Sequence, residues 1–413
     1  MTPGTEPVVP PDAAPAGRES HAGLRTAFPA VIGALICVHA SMAATRVTAS
    51  LLVLHRGYPE WIVGVLLSLF AVAPILLSLW AGRMADRFGM HRPLGAGVLL
   101  GSLGAGIAVV SQHPVALAAA SLCTGGAIAV AAVGIQREAG LMARDASDLK
   151  RVFSWVSLGP AASNAIAPVV VGLLIDHVGY RAGFVFAAML PLIAWGLAQR
   201  VPRSAPGPSL SKTHGGRSGA LSLLRQAPLR RLLLVNLAMS SCWDAHSFAI
   251  PVLGHARGMS ASSIGLVLGS FAVAATVVRL AISRWSDELD ERTALRCAMA
   301  LATLACGAYA WLPGVAGMVA GSAVLGLALG SVQPMVLSML HQVTPPDRHG
   351  QALGVRMLAT NAATIVMPVS FGLLAAATVP AAPMWLMGLL VLAAQWPVSG
   401  VRALRAEEAP HAG

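Results

Sequence analysis

Charge is scarce in this chain. Asp, Glu, Lys and Arg make up 11% of its 413 residues, where a soluble protein carries about 25%. That figure excludes a water-soluble globular domain, and a mean hydropathy of +0.71 agrees. Cysteine is rare as well. Cys37, Cys123, Cys242, Cys297 and Cys306 all fall inside apolar runs, and none forms a Cys-x-x-Cys pair. Neither a disulfide scaffold nor a metal site is expected from them. A Walker lysine loop is missing, which excludes pumping driven by ATP. No nucleophile–base set occupies any loop, so an enzyme is not expected, and nothing asks for a cofactor.

What the chain has is apolar length. Hydrophobic residues make up 56% of it, in runs that approach or exceed the roughly 20 residues a helix needs to cross a bilayer. Such runs are too long and continuous for barrel strands. The reading is an all-α membrane protein with spans at 27–54, 61–82, 94–112, 114–137, 152–176 and 182–200, then 229–254, 261–283, 294–312, 316–341, 351–377 and 383–401. Residues 1–26, rich in Pro, Ala and Gly, read as a disordered tail without the pattern of a signal peptide. Residues 201–228, with Pro202, Pro206, Pro208 and several basic residues, read as a flexible linker. Residues 402–413 form a second tail.

The net charge is +11. In a soluble chain that would suggest nucleic acid. Here the basic residues sit in short connections, and the positive-inside rule accounts for them without any nucleic acid. With both termini in the cytoplasm, the outer loops hold only Arg56, Arg181 and Arg257. Arg46 and Arg279 lie inside spans, and the remaining Lys and Arg fall on or near the inner side.

Between the second and third spans stands Gly-Arg-Met-Ala-Asp-Arg-Phe-Gly, residues 82–89. Gly82, Asp86, Arg87 and Gly89 match the loop signature of the major facilitator superfamily, and the chain resembles that family over about residues 27–401. A degenerate second copy, with Arg284 and Asp287, follows 201 residues after the first. Arg56-Gly57 pairs with Arg257-Gly258 at that offset, Gly64 with Gly265, and Phe70-Ala71-Val72-Ala73 with Phe271-Ala272-Val273-Ala274. Further on, Pro168 and Gly172 return as Pro368 and Gly372, Gln136 as Gln333, and Arg151 as Arg348. The resemblance implies twelve transmembrane helices in two pseudo-symmetric bundles, residues 27–200 and 229–401, around a central cavity. It also implies a monomer in a bacterial inner membrane.

The resemblance assigns Asp86 to a cytoplasmic gate that meets the start of the eleventh helix near Gln351–Arg356. Asp287 would meet the start of the fifth, near Arg151–Ser154. A solvated loop charge is the alternative for both. Arg87, Arg284, Arg151 and Arg356 belong to the same gate region, with snorkelling or a salt bridge as the simpler reading for Arg279 and Arg356.

Charged residues inside a span cost energy and face the interior. Arg46 in the first span and Asp244 in the seventh lie at similar depth, with His246 close by and His39 two turns before Arg46. An Arg46–Asp244 interaction across the cavity is expected, with Asp244 as proton carrier; a fixed ion pair holding two helices is the other reading. Asn164, Asn361, Trp243 and Phe248 are candidate cavity residues, with Gln136 and Gln333 at the helix ends. Ser163 to Gly172 resembles the antiporter motif of exporters, and Pro168 and Pro368 with their glycines equally fit plain kinks. Ser121 stands where many exporters of the family carry a coupling arginine.

The expectation is a secondary transporter of a small organic molecule, coupled to protons and working outward. An importer of an organic acid, with Arg46 on its carboxylate, is the first alternative. A transporter-like receptor or partner protein that moves nothing is the second.

Overall fold

The computed structural model describes residues 27–142, 146–202, 225–284, 290–344 and 349–398. The two tails, Asp287 and most of the linker lie outside the described residues. So does the side chain of Arg151. Apolar runs this long leave each backbone N–H and C=O to be paired within its own segment, and the described residues form twelve α-helices and no strand. They are α1 Phe28–His55, α2 Glu60–Phe88, α3 His91–Val110, α4 Pro114–Leu141, α5 Ala146–His177 and α6 Tyr180–Ala198. In the second half they are α7 Ala227–Ala256, α8 Ala261–Arg284, α9 Glu291–Ala308, α10 Gly314–Val343, α11 His349–Ala377 and α12 Ala382–Val398.

Ten of these helices are long and apolar enough to cross a membrane by length and composition. α7 misses because Asn236, Asp244 and His246 interrupt it, and α12 because it has 17 residues. Exposed leucines such as Leu99 and Leu103 on α3, Leu304 on α9 and Leu389 on α12 form an apolar outer surface. A bilayer would cover that surface.

The two halves repeat each other in space. α1 packs on α4, α5 and α6, and α7 packs on α10, α11 and α12. Two seams join the halves, α2 against α11 and α5 against α8. Each seam depends on a glycine. A Cβ on Gly64 would overlap the carbonyl of Pro368, and one on Gly265 would overlap the carbonyl of Pro168. One turn further along, Gly172 lies against the backbone of Ala261 and Ser262, and Gly372 against that of Glu60 and Trp61. The Pro and Gly positions that recur in the sequence are therefore the points where backbones touch between bundles. Both helices run through their prolines.

The turns repeat too. Gly57 (φ 73°) and Gly258 (φ 66°) end α1 and α7 in the left-handed region. The arginine before each glycine binds across to the next turn of its half: Arg56 donates to Gln112, and Arg257 to the carbonyls of Ala310 and Leu312. Two of the three arginines that the sequence reading put in outer loops thereby donate to loop carbonyls.

The end of the molecule with the first and last described residues is the terminal face, and the end with Gly57 and Gly258 is the far face. At the far face, α8 receives its cap from the other bundle. Asp176, at the end of α5, accepts from the N–H groups of Ala261 (2.9 Å) and Ser262 (2.8 Å). Ser260 accepts from Ser263 through its hydroxyl and from Ile264 through its carbonyl. The orphan donors of Ala261, Ser262 and Ser263 are thus satisfied, and the Ile264 bond begins the helix. Asp176 was not singled out in the sequence. Its replacement by Ala should speed hydrogen exchange in the first turn of α8 by about fivefold, from the roughly 1 kcal/mol such a cap is worth. Unchanged exchange at residues 261–264 would remove Asp176 from the closure of this face.

One expectation needs correction here. The 82–89 segment, read as a loop between two spans, is for the most part helix. Its Arg, Met, Ala, Asp and Phe are compatible with helix, so α2 runs on through Gly82 to Phe88, and only Gly89 turns the chain, at φ 69°. Asp86 lies 3.7 Å from Arg137 of α4, within its own half.

Candidate functional site

Two connected cavities lie between the halves. The wider, about 340 Å³, is lined by the middle and terminal portions of α5, α7, α8, α10 and α11. The smaller, about 50 Å³, is lined by α1, α5, α7 and α8. Asn164, Trp243 and Ala272 belong to both. The residue numbers give the order. On α5 the wide cavity uses 160–164 and the small one 164–168; on α8 they use 272–279 and 268–272. The small cavity is therefore the deeper one, toward the far face. Beyond it, Val47–Leu54 of α1 and Phe248–Gly254 of α7 are buried throughout. The protein is sealed at its far face and hollow toward its terminal face.

Charge is unevenly distributed here. Asp244, Arg279 and Arg356 line the wide cavity and Arg46 the small one, so three arginines face one aspartate. Arg46 and Asp244 act on each other electrostatically, without a direct ion pair. The Thr364 hydroxyl is within hydrogen-bonding reach of the Asp244 carboxylate. Arg279 donates to the carbonyl of Gly330 (3.3 Å) and stands 5.7 Å from the Trp243 ring centroid. Arg356 Nε is buried and has no partner among the described residues. Asn236 donates to the Thr360 hydroxyl at 3.1 Å, joining α7 to α11 at the cavity wall.

Several sequence candidates meet at these cavities: Arg46, Asp244, His246, Trp243, Asn164 and Gln333. Asn164 also donates back to the carbonyl of Pro160. Others do not. His39 is half-buried on α1 and lines neither cavity, Gln136 is exposed on α4, and Asn361 is exposed on α11. Phe248 is fully buried and packs near Phe371 instead of facing the cavity. Arg356 and Arg279, read as gate or snorkelling residues, both line the wide cavity. Arg87 and Arg284 are exposed at that face, and Arg87 lies 5.1 Å from the Phe88 ring centroid.

The sequence reading missed Asn236, Thr360, Thr364 and Ser322. A helical-wheel projection of α7 from Asp244 would reach Ser240 and, two turns away, the region of Asn236. The partners on α10 and α11 carry no comparable signal, because a single Ser or Thr in an apolar helix is common.

The sequence model of the Major Facilitator Superfamily matches residues 31–316 and 232–412. No curated protein matches the sequence. Among solved structures, the chain is similar to the nucleoside transporter NupG (TM-score 0.72, 14% identity, covering 92% of this chain and 98% of that one). It is also similar to a bacterial homolog of the human lysosomal transporter Spinster, in an inward-facing and occupied conformation (TM-score 0.73, 12% identity, 91% and 96% covered). A third likeness is to a POT family transporter in complex with 5-aminolevulinic acid (TM-score 0.71, 12% identity, 90% and 95% covered). At such identities these likenesses carry the fold alone.

Proposed function

The chain belongs to the major facilitator superfamily, and we propose that it is a secondary transporter moving a small organic anion together with protons. The observation that carries this reading is the cavity charge, three arginines against one aspartate. In a cavity shielded from water such an excess attracts and holds an anion. All twelve helices cross the membrane in this reading, the terminal face is cytoplasmic, and the protein works as a monomer in a bacterial inner membrane. The hollow terminal half and sealed far face then correspond to an inward-facing state. The bundles rock about the two seams, so the cavities face one side at a time.

Arg46 is the shared element. It interacts electrostatically with Asp244. An anion drawn to the guanidinium brings a second negative charge beside the carboxylate, and two anionic groups around one arginine repel. A proton arriving with the anion removes that repulsion. Anion and proton therefore favour each other's presence and travel in the same direction. This supports the organic-acid alternative over drug-type exchange.

Export against protons retains one observation in its favour, the close approach of Gly172 to α8, as the antiporter resemblance would have it. The deciding experiment uses the purified full chain in liposomes with an imposed pH gradient and a set of labelled carboxylates. Accumulation on the side that protons enter, abolished by a protonophore, is the expected result. Loss of the label in exchange for protons would establish the export reading, and no flux of any carboxylate would remove the organic-anion reading. Arg46→Lys should raise KM by about tenfold or more with little change in protein yield, because lysine keeps the charge but not the planar fork that grips a carboxylate. An unchanged KM would take Arg46 out of the binding site.

A further inference from the structure

His246 holds a polar atom that no described group satisfies. The residue is 1% exposed, and its Nδ1 has no partner among the described residues. The ring stacks on Phe271, centroids 4.2 Å apart, in the wall of the small cavity.

The other ring nitrogen determines the state of this one. Nε2 lies 2.8 Å from Ser322 Oγ. Ser322 Oγ lies 2.6 Å from the Tyr309 hydroxyl, which lies 3.0 Å from the carbonyl oxygen of Met318. A carbonyl can only accept, so Tyr309 donates to it. The Tyr309 oxygen then accepts from the Ser322 hydroxyl. Ser322 has no second proton, so its oxygen accepts from Nε2–H. Only this assignment turns all three contacts into hydrogen bonds. The neutral ring therefore carries its proton on Nε2, and Nδ1 presents a bare lone pair. A buried acceptor without a donor is costly, and native proteins seldom leave one so.

Arg46 lines the same cavity, and its guanidinium has no hydrogen bond or ion pair among the described residues. The cavity of about 50 Å³ has room for roughly three or four water-sized groups. It thus combines a cationic fork of donors with one bare acceptor, beside the side chains of Ser50, Asn164 and Ser247. A carboxylate alone satisfies the fork and leaves Nδ1 empty. A carboxylate with a protonated amine satisfies Nδ1 but sets a second cation beside Arg46. A carboxylate with an adjacent hydroxyl satisfies both.

We infer that the small cavity is a head-group subsite for hydroxycarboxylates, with the carboxylate on Arg46 and the neighbouring hydroxyl donating to His246 Nδ1. The rest of the ligand extends past Trp243 into the wide cavity. This rests on the organic-anion reading above and narrows it to a substrate class. Ser322 and Tyr309 are positioning residues, which fix the tautomer without touching the ligand.

The test measures binding of three probes to the purified full chain in detergent: phenyllactate, its 2-deoxy analogue 3-phenylpropanoate, and its 2-methoxy ether. Phenyllactate should bind at least about tenfold tighter than either analogue, the discrimination expected when a buried acceptor is filled or left empty. His246→Phe keeps the stacking on Phe271 and should bring the ratio near one. Ser322→Ala releases Nε2 and should reduce the ratio while binding of 3-phenylpropanoate stays the same. Equal affinity for phenyllactate and its deoxy analogue in the unaltered protein overturns the subsite and leaves the organic-anion reading intact. If none of the three binds, both fall. Should the variants fail to fold, the ¹⁵N spectrum of His246 in the unaltered, ligand-free protein decides. A bare Nδ1 and a protonated Nε2 are expected, and the reverse overturns the assignment.

Discussion

Asp244→Asn should abolish proton-driven accumulation, a fall of at least about 100-fold or ~2.7 kcal/mol, while exchange of substrate across the membrane at equal pH continues. Asparagine has nearly the shape of the protonated acid, keeps an oxygen for the Thr364 hydroxyl, and carries no charge for Arg46 to oppose. Binding and rocking therefore remain available, and only the dependence on a proton is lost. Counterflow with and without a pH gradient separates the two. Concentrative uptake retained by Asp244→Asn would rule this carboxylate out as the carrier. Loss of both uptake and exchange would mean that the charge holds α1 and α7 together, the fixed-pair reading.

Alanine at Gly64 or Gly265 should be nearly as damaging, by another route. Each glycine faces a carbonyl of the opposite bundle so closely that a Cβ overlaps it, and backbone cannot move aside as a flexible side chain can. Overpacking of this kind costs about 1–3 kcal/mol. Either variant should lower the thermal unfolding midpoint in detergent and reduce transport by about tenfold or more. Gly82 supplies the contrast. It lies inside α2, and a Cβ there meets nothing within 4 Å. Gly82→Ala should be neutral or slightly stabilising, since alanine is the better helix former by about 1 kcal/mol. Equal tolerance at all three positions would dismiss the seam contacts as energetically unimportant.

The architecture was legible because its determinants are local. An apolar run bounded by Gly, Pro and charge specifies a helix wherever it lies, and every predicted span recurs within a few residues. Boundaries failed where polar residues with good helix propensity follow an apolar run. Arg83 to Phe88 extend α2, and Ala146 to Arg151 precede the expected start of α5. The site was half legible. Arg46 and Asp244 stand out as charges in apolar helices. The place of Arg279 and Arg356 on the cavity wall was not legible, because helical rise gives depth along an axis but not which way a side chain faces. The His246–Ser322–Tyr309 chain brings together residues from three elements, and no periodicity marks that meeting. Asp176 sits at the end of a span, where a carboxylate looks like any solvated charge until its partners on α8 are known.

The far face is fastened unevenly. The second-half counterpart of Asp176, four residues after Gly372 as Asp176 is after Gly172, is Ala376. The first turn of α2 opposite it begins after Pro59 and receives no side-chain cap. Duplication thus left one lip bolted and the other merely abutting. When the far face parts, the α2–α11 side should give way first, so a molecule passing through would follow an off-centre path.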